Sequence, residues 1–263
     1  MKIGISTAAL FCRKTNSEAL PILKDVGADL AEVFLTSFSE YKLSYGAEMA
    51  KNNPGLPVHS VHVLTTQIEP QLFNPHPLVR MDSRYFLEQA MRSAGELGAK
   101  YYTFHGLARC KKSARIPGNE NWKRLGTIEA EVFDFCKKLG VTLCQENVEW
   151  STYNRPGVFR ILKEYCPDLK GVLDLKQARL SGYDYKEYLR EMAGDMTHVH
   201  VSDLTREGKM CLPGKGIFPF EELLEELDKV GFCGPLIIEP YAEDFNGVEE
   251  LAESVAYLKG LTR

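Results

Sequence analysis

Four acid or imidazole side chains lie at or just beyond the ends of short apolar segments that are typical of β-strands. They are Glu146, Asp174, His200 and Glu239. A barrel of parallel strands would bring such positions together at one end. Three carboxylates and an imidazole can hold a divalent cation there. The pattern therefore indicates a metal enzyme.

Two histidines share one of these segments, and their spacing separates their roles. Side chains alternate between the two faces of a strand, so His198 and His200 lie on the same face. Only His200 is near the end of the segment, which makes it the ligand candidate and leaves His198 as a hydrogen-bonded core histidine. His62 and His105 occupy comparable ends of earlier segments. They are candidates for binding substrate hydroxyls or a second metal.

Each of these residues also has a simpler explanation. An acid at the end of a strand can point into solvent or pair with a lysine, as Glu146 could with Lys176. Because the same arrangement recurs at Asp174 and Glu239, a shared role for the three acids is favoured over three unrelated solvent-exposed or lysine-paired residues. Trp150 follows the fifth apolar segment and can either form an apolar wall against a sugar ring or pack a loop.

The elements that must position these residues alternate between strand and helix. Helical segments end at Gly27, Gly98, Gly140 and Gly231, where glycine can adopt the left-handed conformation. The clearest amphipathic helices run from about Asp82 to Leu97 and from Phe220 to Val230. Strands are predicted at residues 2–6, 29–35, 58–64, 100–105, 141–146, 170–174, 196–201 and 235–239. Eight strand-helix repeats in 263 residues predict an α/β fold, a single (β/α)₈ TIM barrel covering residues 1–263.

Composition narrows the class of protein further. A formal charge of −4 argues against a general nucleic-acid binder, which needs a basic face. No apolar stretch approaches the ~18 residues of a membrane helix. The chain starts directly as a strand without a signal-like segment, so we expect a cytoplasmic protein. Its seven cysteines are scattered and are interpreted as reduced core thiols; they are Cys12, Cys110, Cys136, Cys144, Cys166, Cys211 and Cys233.

Together, the order and spacing of several short motifs resemble the xylose isomerase-like TIM-barrel superfamily over essentially the entire chain. The motifs are Glu146-Asn147, the strand end at Asp174, the segment 198–203, Pro-Gly-Lys-Gly at 213–216, and Gly-Pro-Leu-Ile-Ile-Glu at 234–239. The superfamily includes ketohexose 3-epimerases, inosose dehydratases, hydroxypyruvate isomerases and endonuclease IV-type enzymes. The resemblance implies one divalent cation on Glu146, Asp174, His200 and Glu239. It also implies that Arg206 contacts substrate and that homo-oligomers occur among the relatives.

The chain departs from the superfamily pattern after the sixth strand. Many relatives carry Asp-x-x-His, whereas this chain reads Asp174-Leu175-Lys176-Gln177. Glutamine is a poor metal ligand and no general base, but it can hydrogen-bond a substrate hydroxyl. The endonuclease branch needs further histidine ligands after the seventh strand, and residues 204–216 contain no histidine.

These observations predict a metal-dependent isomerase or epimerase of a sugar or polyol derivative. The oxygen-rich ligand set favours Mn²⁺, with Mg²⁺, Co²⁺ and Zn²⁺ as alternatives. By resemblance, Glu146 and Glu239 are the catalytic acid-base pair and transfer protons through a metal-stabilised enediolate. His62, His105, Gln177, Arg206 and Trp150 are the substrate-binding candidates. The alternatives are an inosose-type dehydratase on the same site, an endonuclease IV-like hydrolase, and an inactive carbohydrate-binding barrel.

Overall fold

Eight parallel strands form a closed barrel in the computed structural model, which describes residues 1–64, 67–108 and 119–262. Each barrel strand pairs with its predecessor, and the last one, β10, closes the ring against β1. The strands are β1 (Ile3–Ser6), β2 (Leu30–Leu35), β3 (Val58–Val63), β4 (Tyr101–Phe104), β5 (Thr142–Glu146), β6 (Lys170–Asp174), β7 (Met196–Val201), β8 (Asp203–Leu204), β9 (Met210–Cys211) and β10 (Leu236–Ile238). β8 and β9 form a separate antiparallel hairpin. The predicted (β/α)₈ architecture is confirmed.

Each of the eight barrel strands lies within one residue of its predicted bounds at both ends. The pattern is easy to find because both faces of a parallel strand are buried, one by the barrel interior and the other by helices. All three residues of β10 are inaccessible to solvent, for example. A nearly continuous apolar segment between glycines is therefore a strong signal in this fold.

The helices surround the barrel and bury their apolar faces against it. They are α1 (Asn16–Asp25), α2 (Leu43–Asn52), α3 (Pro77–Glu96), α4 (Asn119–Lys138), α5 (Val158–Tyr165), α6 (Leu175–Ser181), α7 (Tyr185–Met192), α8 (Phe220–Lys229) and α9 (Val248–Leu261). Helix α3 starts five residues before the prediction, because a proline is well suited to the first turn of a helix. Leu78 and Met81 in its first turns are exposed, so the apolar periodicity begins only later.

The predicted helix-ending glycines have the expected conformation. Gly27, Gly98, Gly140 and Gly231 all have positive φ, between 69° and 88°. At Gly27, for instance, the backbone N–H of the next residue, Ala28, reaches back to the carbonyl of Leu23 at 3.1 Å. Each such turn reverses the chain so that the following strand enters the barrel from the same end.

The cysteines are only partly as predicted. No disulfide joins those that the structure describes, and Cys136, Cys144 and Cys166 are buried thiols. Cys12 and Cys233 are exposed, which corrects the interpretation of all seven as core residues, because both lie in connecting segments outside the barrel strands. Cys110 lies outside the described residues. No helix in the described part of the chain is long and apolar enough to span a bilayer.

Candidate metal centre and active-site cavity

The structure brings the four predicted ligands together at the carboxyl ends of the strands. Glu146 and Asp174 are the last residues of β5 and β6, and Asp174 lies directly opposite His200 in the sheet register. Glu239 follows β10 and is also buried. One potential ligand atom from each of the four residues lies within 4.8 Å of the others. Parallel pairing therefore converts four distant positions into one cluster.

His200 is the centre of this cluster. Its Nδ1 atom lies 2.8 Å from Glu146 Oε1, 3.1 Å from Glu239 Oε2 and 3.7 Å from Asp174 Oδ2. Burial alone would lower the pKa of His200, but attraction to Glu239, Glu32 and Glu146 raises it well above its ordinary value. A single N–H group cannot donate to three carboxylates, so the cluster has more negative charge than this imidazole can satisfy.

The net pKa shift differs among the three acids. Burial would raise the pKa of Glu146, but the charge of His200 and a hydrogen bond from His105 lower it to about 2. The pKa of Glu239 is likewise lowered, by His200 against the effect of burial. Burial dominates at Asp174 and raises its pKa. Three carboxylates and one imidazole nitrogen in a buried pocket fit the donor set of a divalent cation, which would take the place of the proton on His200.

Beneath the cluster lies Glu32, which the sequence reasoning did not select. It is fully buried in the middle of β2, and its Oε2 atom accepts hydrogen bonds from Ser60 at 2.8 Å and Thr103 at 2.7 Å. Its Oε1 atom is 3.1 Å from His200 Nε2, although the two are not aligned as a hydrogen bond. The available signal was a charged residue inside the apolar segment Leu30–Leu35. A buried charge of this kind requires polar partners.

His198 lies deeper in the barrel than His200, as its sequence position suggests. Its ring nitrogens lie 3.2 Å from Thr103 Oγ1 and 3.0 Å from Thr197 Oγ1. It is fully buried, so its environment is that of a hydrogen-bonded core histidine. Glu32 also lies near its Nε2 atom, at 3.4 Å.

His62 and His105 extend the cluster towards the cavity. Their Nε2 atoms are 2.9 Å apart, and His105 Nε2 is also 3.0 Å from Glu146 Oε2. The other ring nitrogen of His105 contacts the fully buried Glu69 at 3.0 Å. Burial would lower the pKa of His105, but Glu69 and Glu146 raise it to about 10. Glu69 lies in a short 3₁₀ helix after β3, where the sequence has no signal that would have identified it.

A cavity of about 420 Å³ opens beside these residues. His62, His105, Trp150 and Gln177 all line it, together with Phe34. The Trp150 ring stacks on His105 at 5.7 Å, and Phe34 packs against His62 at 4.8 Å. The cavity therefore combines polar groups near the cluster with aromatic walls, a combination suited to the polar and apolar faces of a sugar.

Gln177 and Arg206 have different positions. The backbone N–H of Gln177 donates to Asp174 Oδ1 at 2.6 Å, and its side-chain Oε1 accepts from the backbone N–H of Glu149 at 3.2 Å. Arg206 lies in the exposed turn of the β8–β9 hairpin and is not among the residues that line the cavity. The structure thus brings Gln177 to the cavity and leaves Arg206 outside it.

The Pro-Gly-Lys-Gly segment at 213–216 forms a turn organised by Asp203. The Asp203 carboxylate accepts backbone N–H groups from Gly214 at 3.0 Å, Gly216 at 3.0 Å and Phe218 at 2.8 Å. A Cβ atom on Gly216 would clash with the Leu204 carbonyl oxygen. The segment is a tight turn leading towards α8, and its glycines allow close backbone approach.

Comparisons with known proteins agree with this architecture. The chain is 24% identical to L-ribulose-5-phosphate 3-epimerase UlaE of Escherichia coli, over 92% of this chain and 87% of that one. It is 22% identical to an uncharacterised protein of Mycobacterium tuberculosis, over 98% and 97% of the two chains. A crystal structure of D-psicose 3-epimerase superposes with a TM-score of 0.80 at 17% identity and 99% coverage of both chains. The family model described as xylose isomerase-like TIM barrel matches residues 20–261. The chain therefore belongs to the xylose isomerase-like TIM-barrel family.

Proposed function

We propose that this protein is a divalent-metal-dependent isomerase or epimerase that acts on a ketose sugar or sugar derivative. The observation that carries the proposal is the convergence of Glu146, Asp174, His200 and Glu239 beside the cavity. Similar proteins include an L-ribulose-5-phosphate 3-epimerase and a D-psicose 3-epimerase, which supports the choice of reaction class.

Glu146 and Glu239 are the proposed acid-base pair. Burial would raise the pKa of each carboxyl, but the charge of His200 lowers it, so both are ionised at neutral pH. In the proposed reaction one carboxylate removes a proton from the carbon next to the substrate carbonyl, and the other, after taking up a proton from solvent, returns it to the opposite face. Return to the same carbon inverts a stereocentre, whereas return to the neighbouring carbon interconverts ketose and aldose.

The surrounding residues orient this pair. His105 lies within hydrogen-bond distance of Glu146, and His62 Nδ1 is 3.4 Å from Glu239 Oε1. A bound divalent cation, for which Mn²⁺ is our first choice, would stabilise negative charge that develops on the substrate oxygens. Trp150 and Gln177 complete the proposed substrate contacts, one through its ring face and the other through its amide. Arg206 has no role in this proposal because of its exposed position.

Proton exchange tests the proposal directly. Metal-stripped protein, reconstituted with Mn²⁺, is incubated with a panel of ketoses in deuterated water, and the label is located by NMR. We expect deuterium at C3 of a substrate for epimerisation, or at C1 or C2 for ketose-aldose interconversion. The Glu239→Gln variant and the metal-stripped protein are expected to incorporate none. Absence of label from every sugar tested would count against proton-transfer chemistry, and equal labelling by the stripped protein would count against a metal requirement.

A further inference from the structure

Lys176 occupies an unusual position beside the proposed active site. It lies two residues after Asp174, in the first turn of α6, and is only 5% exposed. Its Nζ atom lies 4.1 Å from the centroid of the Tyr241 ring. Lys176 and Tyr241 both line the cavity that contains Glu146 and Glu239. A buried ammonium group therefore faces the space where the substrate would bind.

This ammonium group lacks an oxygen partner within the described part of the protein. No described carboxylate oxygen lies within 4.0 Å of Nζ, and no described atom accepts a hydrogen bond from it. The less buried Lys163 and Lys170, by contrast, share the carboxylate of Asp195. The three N–H donors of Lys176 therefore retain their capacity for a ligand.

Lys176 differs from the other charged groups of this cavity in carrying an ammonium. No other lysine or arginine of the described residues lines this cavity. Glu243 also lines it, but its side chain is exposed at the outer rim. The inner wall thus presents the ammonium of Lys176 to a bound molecule, beside the imidazoles of His62 and His105 and the carboxylates of Glu146 and Glu239.

A neutral sugar hydroxyl would form a weaker hydrogen bond with this ammonium group than an anionic oxygen would. Hydrogen bonds from an ammonium to an ionised oxygen are shorter and about twice as strong as neutral ones. We propose that Lys176 binds an anionic group of the substrate, so that the protein acts on a phosphorylated or carboxylated sugar in preference to a neutral one. This inference rests on the proposed function, because it concerns the substrate of the same cavity.

Binding measurements separate this role from a purely structural one. The dissociation constants of a neutral ketopentose, its 5-phosphate and a ketohexuronate are measured by calorimetry on the Mn²⁺-reconstituted protein. The variants are Lys176→Gln, Lys176→Arg, which keeps the charge, and Lys215→Gln, which removes an exposed lysine paired with Glu253. The phosphate and the uronate distinguish the two sources of anionic oxygen.

We expect at least one anionic ligand to bind the unmodified protein about tenfold or more tightly than the neutral ketose, as a charged hydrogen bond would provide. Lys176→Gln should remove most of that preference while leaving the neutral ligand unaffected. Lys176→Arg and Lys215→Gln should retain it. Equal binding of neutral and anionic ligands, an unchanged preference in Lys176→Gln, or no binding of any ligand would overturn the proposal.

The exchange experiment distinguishes failure of this inference from failure of the proposed function. Deuterium incorporation into neutral ketoses without any anionic preference would refute the role of Lys176 and leave the isomerase or epimerase proposal standing. A preference that depends on Lys176 without exchange into any sugar would refute the proposed reaction and support the anion site.

Discussion

Asn147 and Asp174 are joined by two reciprocal hydrogen bonds between neighbouring strand ends. The Asn147 side chain donates through Nδ2 to the Asp174 carbonyl oxygen at 2.9 Å and accepts at Oδ1 from the Asp174 backbone N–H at 2.8 Å. The amide thereby extends the pairing of β5 and β6 to the point where both strands end in candidate ligands. Since Asn147 directly follows Glu146, this contact sets the spacing between the two carboxylates.

Replacing Asn147 with alanine should therefore affect both stability and metal binding. The variant leaves the buried backbone N–H of Asp174 without the acceptor that Asn147 provides, which costs about 1–3 kcal/mol for an unsatisfied group. Loss of a group that orients metal ligands typically reduces metal affinity about 10- to 100-fold. Urea unfolding and Mn²⁺ titration measure the two effects. Unchanged metal affinity in a destabilised variant would assign Asn147 to folding alone.

Glu239→Gln tests the ligand set without altering side-chain size. The amide oxygen is a weaker ligand than a carboxylate, so we expect Mn²⁺ affinity to fall by about tenfold or more. Each factor of ten in affinity corresponds to ~1.4 kcal/mol of binding free energy. Glu243→Gln is the matched control, because Glu243 lines the outer part of the same cavity and its side chain is exposed. A similar loss in both variants would indicate general electrostatic attraction in place of coordination.

Metal binding should release a proton from His200. Attraction to the surrounding carboxylates raises the pKa of His200 despite its burial, so the imidazole carries a proton at neutral pH when no ion is present. A metal ion held by His200 would require an unprotonated ring nitrogen. Affinity for Mn²⁺ should therefore decrease as the pH falls. Calorimetry at pH 7 in two buffers of different ionisation enthalpy measures the proton count, and identical binding heats in both buffers would contradict this expectation.

Glu129 should make the protein less stable as the pH rises. It is buried in α4, and neither carboxylate oxygen has a hydrogen-bond partner among the described residues. Burial, with a smaller effect from Glu69, raises the pKa of Glu129 from 4.5 to about 8. Below pH 4.5 both folded and unfolded chains hold this proton. Above that pH only the unfolded chain ionises readily, so stability is lost progressively up to about pH 8.

Glu129→Gln removes this titration and should stabilise the protein at pH 8 relative to the unmodified chain. The gain is a few kcal/mol at most, since each unit of pKa difference corresponds to about 1.4 kcal/mol. At pH 4 the two proteins should have similar free energies of unfolding. Urea unfolding at both pH values measures the difference. A gain of equal size at pH 4 and pH 8 would show that ionisation of Glu129 is not its cause.

Two glycines in packed helices should respond in opposite ways to alanine. A Cβ atom on Gly46 of α2 would lie 2.6 Å from the Ser93 Cα atom of α3, so Gly46→Ala forces the helices apart and should cost about 1–3 kcal/mol. Gly95 of α3 has nothing within 4 Å of such an atom. Gly95→Ala should stabilise the protein by about 0.5–1 kcal/mol through helix propensity. Thermal unfolding of both variants checks the signs, and destabilisation by Gly95→Ala would contradict the prediction.

Much of this arrangement could be predicted from the chain itself. The apolar segments and helix-ending glycines predict the eight barrel strands to within a residue, because their signals are local. The same signals place Glu146, Asp174, His200 and Glu239 at strand ends, and the closed barrel topology then requires those ends to meet. The start of α3 was less predictable because its first turns expose apolar side chains to solvent.

Only the tertiary structure decided which further residues reach the cluster. Glu32 lies beneath it because β2 points this side chain inward, and Glu69 reaches His105 from the 3₁₀ helix after β3. Arg206 and Lys176 show the opposite outcomes for two basic residues, one exposed in a hairpin turn and the other buried in the cavity wall. Periodicity along a chain determines which face of an element is buried, whereas contacts between loops and distant strands depend on how those elements pack in space.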